Sequence, residues 1–255
     1  MLELRNPHSI LATVRARPKG VRVSHLPAAD AGTAWNEVFQ EATRQGVSVV
    51  TGGEPTGGSA RRDSGRSTER SGGGSAMIEP PSPVPLQSLW RSTGQSDDFG
   101  IWLALDQVQD PQNMGALFRL AGFFGVRGVV LTRDRSASIN ATVCDVATGG
   151  TEVVPFSVVA NLAQAIDDAR HHHLWILGTC ERSDLSVYGV ARDRHWLLVV
   201  GNEGRGLRRL TREKCDQLAA LPPLGSVSSL NVASATAACL AVLMSPRSAA
   251  HLRPT

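Results

Sequence analysis

Two short stretches set chemically capable groups directly after apolar runs. Gly201-Asn202-Glu203-Gly204-Arg205-Gly206-Leu207 follows the run 197–200, and Leu221-Pro222-Pro223-Leu224-Gly225-Ser226-Val227-Ser228-Ser229-Leu230-Asn231-Val232 follows the run 218–221. A carboxylate, a hydroxyl and a carboxamide (Glu203, Ser229 and Asn231) thus stand where strands end, and ligands of open α/β sheets bind outside the carboxyl ends of parallel strands. A third stretch, Asp106-Gln107-Val108-Gln109-Asp110-Pro111-Gln112-Asn113-Met114-Gly115-Ala116-Leu117-Phe118-Arg119, follows the apolar run 101–105 and opens a helical pattern. Its turn lacks the glycines that a dinucleotide-binding fold places after its first strand, so a phosphate-cradling turn is not expected there. Asn113 and Arg119 are nearly two helical turns apart and are expected to point roughly the same way. An arginine at that place suits a phosphate or a developing anion, because guanidinium is a forked donor that stays charged.

Structural roles compete with each of these readings. Glu203 is expected to open a helix, whose dipole favours a carboxylate. Ser229 and Asn231 are both good N-caps for a last helix. Arg119 would serve equally as a partner for a nearby carbonyl or carboxylate.

In this order and spacing the three stretches closely resemble the motifs of the SpoU/TrmH-type RNA ribose 2'-O-methyltransferases, members of the SPOUT superfamily, over about 101–246. Asp134-Arg135-Ser136-Ala137, Asn140-Ala141-Thr142 and Leu210-Thr211-Arg212-Glu213 also fit the branch that methylates a guanosine ribose in 23S ribosomal RNA. The resemblance implies an α/β fold, a SPOUT-type parallel sheet with a C-terminal trefoil knot, and S-adenosyl-L-methionine as methyl donor. It further implies a homodimer in which the motif-one arginine is shared between chains. Asn113, Arg119, Glu203, Ser229 and Asn231 match catalytic positions, while Thr179, Gly201, Leu221 and Leu230 match cofactor-binding ones that contact adenine largely through backbone. In the family the arginine is sometimes proposed as the base that takes the ribose proton; a guanidinium is effectively never deprotonated, so a phosphate clamp that also stabilises the ribose anion is the better role. Asn202 departs from a common alanine and Pro223-Leu224 from a methionine-containing turn, and neither change removes a catalytic group. Two alternatives stand beside this reading: a transfer RNA substrate, and a non-catalytic RNA-binding factor for ribosome assembly. Five intact polar positions argue against the second, since a pure binder does not need all of them.

The elements that position these groups are legible as alternating patterns. Helices are expected over 114–124, 141–149, 162–171, 208–215 and 231–245, and strands over 101–105, 128–131, 153–155, 174–179, 196–200 and 217–221. Short strands apolar on both sides indicate a parallel sheet covered on both faces. Threaded chains are rare, so the knot rests on the resemblance alone; glycines at 201, 204, 206 and 225 permit the close crossings it needs.

Upstream, a helix over 8–15, a strand over 20–25, a helix over 33–45 and a strand over 47–50 make a partial N-terminal domain, 1–51, similar to the ribosomal-protein-like RNA-binding domain of many such enzymes. Residues 52–76 hold eight glycines, five serines and seven charged residues without an aromatic. Such a stretch buries too little apolar surface to offset its ordering entropy. A disordered glycine/serine-rich and proline-rich linker is therefore expected over 52–98, with a turn of helix at 86–92, followed by the methyltransferase domain over 99–247 and a tail over 248–255.

With 255 residues and 42% hydrophobic content the chain can bury a sizeable core. Its formal charge is only +3, yet of 26 basic residues all but Lys19 and Lys214 are arginines. That bias suits phosphates and stacked bases, although genome composition explains it as well. Cys144, Cys180, Cys215 and Cys239 form no C-x-x-C pair and read as reduced thiols. His171-His172-His173 lacks a carboxylate or cysteine at ligand spacing and reads as a solvated helix end, so no metal is expected. The longest apolar run, near 237–244, is too short for a bilayer, and no apolar signal core opens the chain; a cytoplasmic location is expected.

Overall fold

The computed structural model describes residues 1–26, 32–51, 74–94 and 99–245. Its N-terminal lobe is built from β1 (Leu2–Leu4), α1 (Pro7–Ala16), β2 (Val21–Leu26), α2 (Thr33–Arg44), β3 (Val49–Thr51) and β4 (Ser75–Ile78). Helix α1 starts where it does because the Asn6 side chain accepts from the His8 amide and Pro7 occupies the first turn. Its Ile10 and Val14 meet Trp35, Val38 and Ala42 of α2, spaced to form one apolar face, over a sheet of order β1-β4-β2-β3.

Strand β4 corrects the linker expectation. Residues 52–73 and 95–98 lie outside the described residues, but Ser75–Ile78 is the strand between β1 and β2, antiparallel to both, and Ala76 and Ile78 are fully buried. An apolar strand of four residues at the edge of a glycine- and serine-rich window is averaged away by composition. Further on, α3 (Leu86–Trp90) buries Leu89 and Trp90; the Trp102 indole donates to the Leu89 carbonyl at 2.8 Å and the Trp90 indole to Asp168 at 2.7 Å. Excising 75–78 is expected to unfold the N-terminal lobe, because it removes the strand that joins β1 to β2. A melting curve unchanged by the deletion would show that the lobe does not need it.

The second lobe runs β5 (Ile101–Asp106), α4 (Pro111–Phe124), β6 (Val129–Thr132), α5 (Ala141–Ala147), α6 (Gly150–Val153), β7 (Phe156–Val159), α7 (Leu162–His171), β8 (Trp175–Thr179), β9 (Trp196–Gly201), α8 (Arg209–Glu213), β10 (Gln217–Ala219) and α9 (Val232–Leu243). Its strands pair in parallel in the order β10-β8-β9-β5-β6-β7. Every residue of β5 and β9 is buried: Leu103, Leu105, Leu198 and Val200 face the core beneath α4 and α9, while Trp102, Ala104, Leu197 and Val199 face α3 and α7. The strand expected over 153–155 is displaced. Thr148 and Gly149 take positive φ (50° and 92°), the helix stops and restarts as α6, and Val153 ends up 68% exposed. Phe156–Val159 is the strand instead.

From β5 the chain builds outward through β6 and β7, whereas β8 and β10 lie beyond β9. The order therefore reverses between β5 and β9, where the crevice of such a sheet opens. Among the described residues no helix is long and apolar enough to cross a membrane.

Candidate active site

Strand β5 delivers Asp106 to the crevice with its side chain fully buried, and the carboxylate is held by Arg208, through Nε at 2.6 Å and the backbone amide at 3.0 Å. This clamp ties the loop after β9 to β5. The next residue, Gln107, takes a φ of 62°, and its carbonyl accepts from the Asn202 side chain at 3.0 Å. Neither contact was read from the sequence, although a lone aspartate ending an apolar strand is the signal that marked the first.

The loop 201–207 closes on itself. Asn202 and Gly206 exchange backbone hydrogen bonds at 3.2 and 2.9 Å, and the Asn202 side chain accepts from the amides of Gly204 and Arg205 at 3.0 and 3.3 Å. Gly201 has no room for a side chain, since a Cβ there would lie 2.3 Å from the Gly206 carbonyl carbon. Glu203 consequently sits in a turn, not at a helix start; α8 begins only at Arg209. The helix-dipole reading of Glu203 is thereby corrected.

What holds Glu203 is a chain of side chains from three separate segments. The Asn113 amide donates to Glu203 Oε1 at 2.9 Å, and the Asn231 amide donates to Asn113 Oδ1 at 3.2 Å. Asn231 also accepts from the Ser234 amide at 2.7 Å, capping α9. One side chain thus caps the helix through its oxygen and donates to Asn113 through its nitrogen, because a carboxamide has both an acceptor and donors. Ser229 does not cap the helix.

Glu203 lines a cavity of about 520 Å³ together with Thr179, Gly201, Leu221, Ser229 and Leu230. The four positions expected to hold a cofactor thus share one cavity with two of the five expected to be catalytic, and Asn113 and Asn231 join it through Glu203. Arg182, Arg205 and Arg212, which had not been singled out, line it too. Burial pushes the Cys239 thiol at its wall up to about 11, and those of Cys144 and Cys215 up to about 11 and about 12. These thiols stay protonated near neutral pH and are poor nucleophiles. Among the described residues no three His, Cys, Asp or Glu side chains converge on a metal-sized site.

Arg119 is the residue that the fold does not bring in. Six residues along a helix leave two side chains about 120° apart, so Asn113 and Arg119 flank the buried Met114, Leu117 and Phe118 on different sides. The expectation that they point the same way is corrected on that ground. Arg119 is exposed and makes no hydrogen bond or ion pair with the described residues.

A model of the family described as SpoU rRNA Methylase matches residues 100–241. The 23S rRNA (guanosine-2'-O-)-methyltransferase RlmB of Bordetella pertussis is 34% identical over 233 residues, which cover 91% of this chain and 92% of that one. The protein of the same name from Yersinia pestis is 41% identical over 80% of this chain and 76% of its own. That from Pseudomonas aeruginosa is 46% identical over 60% of this chain, and the match spans 62% of its own length. Among solved structures, the SpoU methyltransferase AviRb from Streptomyces viridochromogenes in complex with AdoMet superposes with a TM-score of 0.72, covering 95% of this chain and 88% of the other. At 22% identity that likeness speaks for the fold.

Proposed function

The chain belongs to the SpoU rRNA methylase family, and from that premise we propose that it methylates a guanosine ribose 2'-hydroxyl in 23S ribosomal RNA with S-adenosyl-L-methionine. The observation that carries this reading is the chain Asn231–Asn113–Glu203 joined to the cavity of Thr179, Gly201, Leu221 and Leu230. The cavity fits the cofactor. Its volume lies in the range of small-molecule sites, Leu221 and Leu230 are apolar partners for a purine, and Gly201 lets the loop 201–207 close against the end of β9 at its wall. When bound, the cofactor supplies an electrophilic methyl group.

The chain's own residues do the rest by orientation and charge. Asn113 engages one oxygen of Glu203, and the other makes no hydrogen bond to the described residues; in this reading it accepts one from a ribose hydroxyl. Arg119 stabilises the negative charge that develops on the ribose oxygen. Holding nucleophile and methyl in line is worth up to ~7–11 kcal/mol of barrier. No step uses a metal, so activity is expected to survive chelation; loss with EDTA that zinc or magnesium restores would count against the mechanism.

Because Arg119 stands off its own cavity, the proposal includes a homodimer in which each site takes this arginine from the partner. Two observations support it. The outer face of α9 presents only small residues, Ser234, Ala238 and Ala241, and Leu224 and Val227 in the loop that precedes it are exposed. A self-complementary two-fold contact would cover both. Light scattering at micromolar concentration is expected to give twice the chain mass of 27.1 kDa, whereas an active monomer would end the idea of a shared arginine.

A trefoil knot through the loops 201–207 and 221–232, an RNA-binding role for the N-terminal lobe, a boundary near 99 and a cytoplasmic location complete the proposal; the tail 248–255 lies outside the described residues. Mapping 2'-O-methylation on total RNA from cells with and without the gene tests the function. One 23S guanosine is expected to lose its methyl group. A lost mark on transfer RNA would move the substrate, and unchanged RNA would refute the activity.

A further inference from the structure

The turn between α5 and α6 is wedged between helices from the two lobes. A Cβ at Gly149 would lie 2.7 Å from the Cβ of Ala12 in α1. On the other side, a Cβ at Gly150 would lie 2.4 Å from the Phe118 carbonyl oxygen and 2.9 Å from the Arg119 nitrogen in α4. Only glycine fits at either position. The backbone of the N-terminal lobe's neighbour therefore rests on the peptide that carries Arg119 with no side chain between them. Packed interiors are stiff, so a shift of α1 reaches that peptide directly.

A half-buried ion pair fixes this wedge to α1. The Glu152 side chain, 2% exposed, accepts from Arg17 Nε at 2.6 Å and Nη2 at 3.0 Å and from the Thr13 hydroxyl at 3.2 Å. Arg17 also donates through Nη1 and Nη2 to the Glu79 carbonyl, each at 3.1 Å, so one guanidinium joins α1, the end of β4 and α6. Two of its bonds cross to Glu152 in the second lobe, and the two to Glu79 fix the guanidinium within the first. An RNA-binding lobe on a loose tether would need none of this.

The geometry points to Arg17 and Glu152 as positioning residues for Arg119: the pair seats the Gly149–Gly150 wedge against the Phe118–Arg119 peptide, and so makes the aim of the arginine depend on the docked N-terminal lobe. The inference rests on the proposed function, which gives Arg119 its task. Neither residue touches the cofactor cavity, so the pair should act on turnover and leave cofactor affinity alone.

Full-length Arg17→Gln and Glu152→Gln proteins, with unmodified 23S rRNA transcribed in vitro, test this. Both are expected to lower kcat about tenfold or more, as a small misplacement of a catalytic group does, with the Kd for S-adenosylmethionine unchanged. Amide hydrogen exchange over 117–121 should quicken in both. Arg17→Lys, which keeps the charge but not the fork, should fall between them and the parent. Parent-like kcat and exchange in the glutamine variants would overturn the assignment. So would a fall in kcat matched by an equal loss of cofactor binding, which marks a general folding defect. If the parent protein transferred no methyl group to that RNA, the proposed function would fail, and the exchange measurement alone would decide the coupling.

Discussion

Replacing Arg119 with alanine is expected to abolish methyl transfer while leaving cofactor affinity intact. The side chain is exposed and bonds nothing within its own described chain, so the substitution creates no cavity and orphans no partner. Its stability cost should be within the small range of surface changes, roughly ±0.5 kcal/mol. All of the loss should therefore appear in turnover, where removing one group that stabilises developing negative charge costs about 10²- to 10³-fold. Arg119→Lys should recover little, since a point charge does not reproduce a planar fork. Single-turnover methylation and calorimetric titration with S-adenosylmethionine, run on the same preparation, separate the two effects. Parent-like turnover in the alanine variant would remove Arg119 from the mechanism.

The second large effect is expected at Gly201, where the smallest possible side chain should damage the cavity. A Cβ there would lie 2.3 Å from the Gly206 carbonyl carbon and 2.5 Å from both the Gly206 oxygen and the Leu207 nitrogen. Those are backbone atoms of a loop pinned by Asn202, so they cannot step aside as a flexible side chain would. Overpacking of this kind costs about 1–3 kcal/mol, and every ~1.4 kcal/mol that falls on the bound state weakens affinity tenfold. Gly201→Ala should thus bind S-adenosylmethionine roughly ten- to a hundredfold more weakly and melt earlier. Gly204→Ala is the control, because its Cβ would meet nothing nearer than the Asn202 oxygen at 3.8 Å. Equal affinity in the two variants would mean that the loop yields and that the close crossing does not shape the cavity.

Much of this molecule could be read from its residues in order. The apolar runs ending in Asp106 and Gly201 announced buried parallel strands, because a strand covered on both faces has no polar positions to alternate with. The resemblance carried by the three ordered motifs marked Asn113, Glu203 and Asn231 for one site, and Gly201, Thr179, Leu221 and Leu230 for one cavity. Such signals are local: periodicity, a cap, or a glycine where chains cross needs only a few neighbours to be recognised. Tertiary structure decided the rest. Asn113 meets Glu203 across 90 residues and Asn231 across 118 only because β9 lies beside β5 and α9 packs on α4. Sheet order is set by backbone pairing, which leaves no mark in side-chain sequence. The same reason hid β4, whose partners lie 50 or more residues upstream, and the Arg17–Glu152 pair, whose partners are 135 residues apart. It also separated Arg119 from Asn113. Their helical spacing was visible in the sequence, but which flank of α4 faces the crevice follows from where the sheet buries Leu117 and Phe118.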